Sequence, residues 1–171
     1  MSLSRAAFLQ LIFTFFVLTF SMPSSAESLN NKEAMQGLKS MHVIYDMRKS
    51  NPNMMLVYLK GIESNRNNLI KEGVEPHQRI IFIAKAVKFI TTQPSEEVEM
   101  EYGPVLKQVA SQIARLNKLV VKMEVCSAAT AAFGVDNATL LPGIKVVRSG
   151  FLSVMGWQAQ GYQLVPVYDT L

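Results

Sequence analysis

The chain has 171 residues, 49% of them hydrophobic and 18% charged, with 17 Lys and Arg against 13 Asp and Glu. The formal net charge of +4 is small, and the cations are scattered without a run or aromatic interleaving, which argues against a nucleic-acid binder. One cysteine in the whole chain excludes a disulfide-stapled scaffold.

The N-terminus reads as an export signal. Arg5 precedes an apolar stretch at 6–20 that only Gln10, Thr14 and Thr19 interrupt, and Pro23-Ser24-Ser25-Ala26 offers a small-residue cleavage site after Ala26. The stretch is shorter than the roughly 20 residues that span a bilayer. The expectation is a periplasmic or secreted protein with no stable membrane insertion after cleavage. Residues 27–171 suffice for one domain that buries a core without disulfides.

Residues 27–40 are polar and lack a clean period, and so read as an N-terminal arm ahead of a domain at 41–171. His42-Val43-Ile44-Tyr45 is a short strand that emerges into charge at Asp46, Arg48 and Lys49. Ser50-Asn51-Pro52 opens a helix, with a capping residue ahead of proline. Met55, Leu59, Ile62, Arg66 and Leu69 form its inward stripe, and Gly73 closes it.

Arg79-Ile80-Ile81-Phe82-Ile83-Ala84 is an almost unbroken apolar run, as in a strand covered on both faces. A short helix is expected over 87–90, then an acidic loop or solvated helix edge over 91–102. Gly103-Pro104 is the predicted start of the next helix, with Val105, Val109, Ile113 and Leu116 on one face. Residues 119–125 form the third strand and 128–133 a short helix that ends at Gly134. Asp136 and Asn137 cap a further turn. Ile144-Lys145-Val146-Val147 is a fourth strand, 150–160 a helix, and 163–167 a proline-bearing edge strand. Strands that alternate with helices predict a mostly parallel five-stranded sheet in a three-layer α/β/α sandwich, without internal repeats.

In such sheets the site lies beyond the carboxyl ends of the strands. Those ends supply Asp46 and Arg48, then Lys85, then Cys126 and Ser127, then Arg148 and Ser149. Cys126 is the candidate nucleophile. A strand that feeds a helix aims its junction residue at the partially positive N–H groups of the first turn, where a thiol is expected to be reachable and to meet cations; the alternative is a buried, inert thiol. His42 and His77 lack further ligands at metal spacing, and no glycine-rich phosphate loop is present, so neither metal nor cofactor is expected.

His42-Val43-Ile44-Tyr45-Asp46 and the run from Val125-Cys126-Ser127-Ala128 to Phe133-Gly134-Val135-Asp136 resemble the DsrE/DsrF-like family. So does the tail Leu140-Leu141-Pro142-Gly143-Ile144-Lys145-Val146-Val147-Arg148-Ser149-Gly150 with Gln160-Gly161-Tyr162. Relatives often carry a His-Gly-Pro triplet where this chain reads Ile83-Ala84-Lys85. The resemblance implies a small α/β/α domain that assembles into homo-oligomers, commonly trimers or hexamers. In the sulfur-oxidation branch a cysteine carries sulfur as a persulfide between donor and acceptor proteins, and Cys126 falls on that position. The alternative that the resemblance leaves open is a non-catalytic oligomeric binding or scaffold protein in which Cys126 is structural.

Overall fold

The computed structural model describes residues 29–169; the stretch read as an export signal, with its expected cleavage site, lies outside the described residues. From Asn31 onward the described chain forms one compact unit. A short helix, α1 (Lys32–Met35), lies within the stretch read as an arm. Next come β1 (Ser40–Met47), α2 (Pro52–Lys71) and β2 (Glu75–Phe82), with a 3₁₀ turn over Ala84–Phe89. After these run α3 (Glu96–Lys118), β3 (Lys122–Cys126), α4 (Ser127–Ala132), β4 (Ile144–Val147), α5 (Gly150–Ala159) and β5 (Gln163–Val167).

The five strands are all parallel, in the order β4-β3-β2-β1-β5. From β1 to β4 the chain steps in one direction across the sheet, then returns past every strand to place β5 beside β1. A right-handed crossover in the reverse direction puts its helix on the opposite face. Two adjacent residues of β2 display this, because neighbours in a strand point to opposite faces. The amide of Gln78 donates to the Ile62 carbonyl of α2 at 3.3 Å. The guanidinium of Arg79 stacks on the Trp157 ring of α5, 3.4 Å from its centroid. Helices α2 and α3 pack together on the first face, and α5 alone crosses β1, β2 and β3 on the second. The architecture is a three-layer α/β/α sandwich.

The core lies between the sheet and the α2–α3 layer, where Met55, Leu59, Ile62, Ile80, Phe82, Val109, Ile113 and Leu116 are buried. Asn51 caps α2 by accepting from the amides of Asn53 and Met54, ahead of Pro52.

Several element starts differ from the sequence expectation; β3, for one, begins at Lys122 rather than Leu119, because residues 119–121 close helix α3. Strand β2 begins at Glu75 rather than Arg79, since residues 75–78 pair in register with 40–43 of β1. Helix α3 begins at Glu96 instead of Gly103-Pro104. Ser95 caps it by accepting from the Val98 amide, and Glu96, Glu97 and Glu99 match the positive end of the helix dipole. Pro104 therefore sits inside the helix, opposite the carbonyl of the exposed Met100.

Candidate functional site

The carboxyl ends of the strands gather most of the predicted residues along one edge. Asp46, the penultimate residue of β1, is 1% exposed. Arg48 Nε donates to its Oδ1 at 2.9 Å and Nη2 to its Oδ2 at 2.7 Å, a bidentate pair. The Tyr168 hydroxyl, just past β5, donates to the same Oδ2 at 2.8 Å. Donating to the Asp46 carboxylate holds the Arg48 guanidinium above its ordinary pKa. Burial, reinforced by the bond to Asp46, raises the Tyr168 phenol. The guanidinium also lies against the Phe151 and Tyr168 rings, 4.7 and 4.9 Å from their centroids. Asp46 thus organises Arg48, with both oxygens already engaged.

Lys49 donates to the Tyr168 carbonyl and pairs with Asp169 at 3.8 Å. Hydrogen bonds from Ser50 lower the Asp169 carboxyl, and the charges of Lys49 and Lys85 add to that effect. Lys85 is exposed on this edge. Ser127 Oγ donates to the Arg148 carbonyl at 3.1 Å, tying the end of β3 to the end of β4, while the Arg148 side chain is exposed. Ser149 caps α5, its Oγ accepting from the Leu152 amide at 3.4 Å.

Cys126 closes β3 and is the N-cap residue of α4, as the strand-to-helix reading requires. Its reachability is different from the expectation: it is 4% exposed. The cause is α5, whose first residue, Gly150, lies directly over it. A Cβ at Gly150 would stand 3.0 Å from Cys126 Cβ and 2.7 Å from Ile83 Cγ1, so only glycine lets the helix start this close. Among the described residues, no hydrogen bond or ion pair joins Cys126 to Arg48, Lys85 or Arg148. The edge assembles as predicted, yet its cations are held by other partners or face solvent.

On the same face of β3, two residues before the cysteine, Glu124 is 7% exposed. Its Oε1 accepts from Trp157 Nε1 at 3.1 Å and lies 3.8 Å from Arg79 Nη1. Beyond it, His42 and His77 stack at 4.3 Å, with Tyr162 edge-on to His42. A groove of about 350 Å³ runs beside Glu124, lined also by Lys145, Arg148, Ser149 and Trp157. Among the described residues no cluster of three or more His, Cys, Asp or Glu could hold a metal ion, and no helix is long and apolar enough to cross a membrane.

Tyr168, Asp169, Gly150, Arg79, Glu124 and Trp157 were missed from sequence. The strand-end rule, extended to β5, would have found the first two. The others depend on which face α5 covers, which no local pattern encodes.

This combination, a parallel sheet ordered β4-β3-β2-β1-β5 with a cysteine ending β3, defines a small α/β/α sandwich with a candidate site at the strand ends. The chain belongs to the DsrE/DsrF-like family, whose match spans residues 14–167. Among solved structures it is similar to the protein MTH1491 from Methanobacterium thermoautotrophicum, a protein of unknown function. Identity is 18%, with 74% of this chain and 98% of that one covered, at a TM-score of 0.57. It is also similar to the ychN protein from E. coli, at 12% identity over the same shares and a TM-score of 0.54. At these identities the likeness is one of fold. No curated protein matches the chain.

Proposed function

We propose that this chain is an exported sulfur-handling protein in which Cys126 accepts sulfane sulfur as a persulfide and hands it to an acceptor thiol. The family is linked to sulfur relay in general. The observation that carries the reading is the position of the one cysteine, at the end of β3 on the edge where Asp46, Arg48, Ser127 and Ser149 also gather.

The chemistry is an exchange with no net oxidation. The Cys126 thiolate forms an S–S bond to the sulfane sulfur of the donor, and the bond from that sulfur to the donor's own thiol breaks, its electron pair leaving as a thiolate. In the second step an acceptor thiolate attacks the terminal sulfur and Cys126 departs as the thiolate. No metal or cofactor enters either step. Incubating the purified protein with polysulfide should raise its intact mass by whole sulfur atoms, and a Cys126→Ser variant should gain none. An unmodified wild-type mass, under conditions that load a known carrier, would refute the reading. Cell fractionation tests export: the mature chain should begin at Glu27 outside the cytoplasm.

Burial of Cys126 favours a second reading, a homo-oligomeric binding protein with a structural cysteine. Phe151, Leu152 and Met155 of α5, each more than half exposed, are the surface a second copy would cover. Sedimentation should then give a trimer or hexamer that persists unchanged in Cys126→Ser.

A further inference from the structure

We propose that the amino ends of β2 and β3 form a second site, a notch in the sheet that takes a small polyol phosphate. The proposal goes beyond the sulfur-handling reading, since Cys126 lies at the other end of β3.

The notch follows from strand register. Residues 75–78 of β2 pair with residues 40–43 of β1, whereas β3 begins at Lys122, opposite Arg79. The start of β2 therefore has no strand beside it on the β3 side. A cavity of about 410 Å³ occupies this gap, within the size range of small-ligand pockets. Neighbours in a strand face opposite ways, so a gap in the sheet plane is lined from both sides. Gln78 lines it from the α2 side and Arg79 from the α5 side.

The wall is cationic. Arg66 of α2, Arg79 and Lys122 line it, against a single carboxylate, Glu75, whose side chain is 72% exposed and 3.6 Å from His77. Among the described residues neither Arg66 nor Lys122 forms an ion pair, and Arg79 meets Glu124 only at 3.8 Å. Arg66 is steadied by donating from Nε to the Leu119 carbonyl at 3.2 Å, and Arg79 by its stack on Trp157. Arg79 Nε is buried without an acceptor. Three cations on one cavity repel one another, and a doubly charged oxyanion relieves that repulsion while accepting from their N–H groups.

The same wall carries a free acceptor. Gln78, 5% exposed, donates from Nε2 to the Tyr45 hydroxyl and the Ile62 carbonyl. The other end of the amide, Oε1, is buried without a donor. A carbonyl oxygen is satisfied by a hydroxyl and repels a bare anion. Phosphate on a hydroxyl-bearing body meets both demands.

Titration calorimetry of the purified protein with glycerol 3-phosphate should show binding that weakens as salt is raised. Inorganic phosphate should bind about tenfold more weakly, the factor for one hydrogen bond to a buried acceptor, and glycerol should not bind. Lys122→Gln should weaken glycerol 3-phosphate about tenfold through one lost charge-assisted bond. Lys107→Gln, which removes the same charge from an exposed position on α3, should leave the affinity unchanged. The site is overturned if glycerol 3-phosphate does not bind at millimolar concentration, if inorganic phosphate binds equally well, or if the two lysine variants lose affinity alike. Cys126→Ser should bind as the wild type does, so this test and the polysulfide test fail independently.

Discussion

The two faces of one sheet are finished differently here. On the first, α2 and α3 lay Leu59, Ile62, Ile113 and Leu116 against Ile80 and Phe82, and all are buried. On the second, α5 crosses a mixed surface in which Ile44 and Ile81, also fully buried, lie beside Arg79 and Glu124, and Val154 is the buried aliphatic residue of the helix. The first face is mostly apolar, and the second mixes apolar with charged residues and carries the cysteine.

The largest expected effect tests that division. Leu59→Ala, at a fully buried site, should cost about 3 kcal/mol in urea denaturation, through lost transfer energy and the cavity left behind. Val154→Ala, on α5, should cost about 1 kcal/mol, because it removes less apolar area from a thinner layer. Equal costs would mean that α5 is as much part of the core as α2.

Much of this was readable in the residues. The Asn51-Pro52 start and Gly73 end fixed α2 closely, and the strand-end rule led to Asp46, Arg48, Cys126, Ser127 and Ser149. Whether Cys126 is reachable or buried was left open by the residues alone. It depends on α5 returning across the opposite face, which follows from strand order rather than from any local pattern. The start of α3 was hidden because Gly103-Pro104 is a strong local signal for a helix start. The Ser95 cap and the acidic first turn outweigh it.

A middle-sized effect sharpens the contrast within the packed face, where two helices close in the same way on unlike residues. Helix α2 ends with Gly73 N–H donating to the Ile70 carbonyl and Val74 N–H to Leu69, and Gly73 takes φ +77°. Helix α3 repeats this with Val120 donating to Asn117 and Val121 to Leu116, but Val120 takes φ +65°. A β-branched residue in the left-handed region is strained, and glycine is not. Val120 is exposed, so its side chain offers little packing in return. Val120→Gly should stabilise the protein by about 1 kcal/mol, after the entropy that glycine loses on folding. A loss of stability would show that the Val120 side chain packs better than its exposure indicates.

The smallest effect separates the faces by pH. Tyr45 lies on the α2 side, its hydroxyl accepting from the Gln78 amide at 3.0 Å, and burial raises its pKa above the ordinary 10.0 despite opposing hydrogen bonds from Asn65 and Gln78. A phenol raised in the folded state gives stability that is complete below the unfolded value and is lost as pH climbs through the folded one, because the unfolded chain releases its proton first. Tyr168 is raised as well, through burial and its bond to Asp46 at the strand ends. The melting temperature should therefore fall above about pH 10, and both Tyr45→Phe and Tyr168→Phe should flatten that fall. Tyr168→Phe keeps the ring against Arg48 and removes only the hydroxyl that donates to Asp46, so its effect reports that bond alone. If Tyr45→Phe alone flattens the fall, the strand-end cluster opens to water before its phenol titrates, and the two faces of the sheet come apart separately.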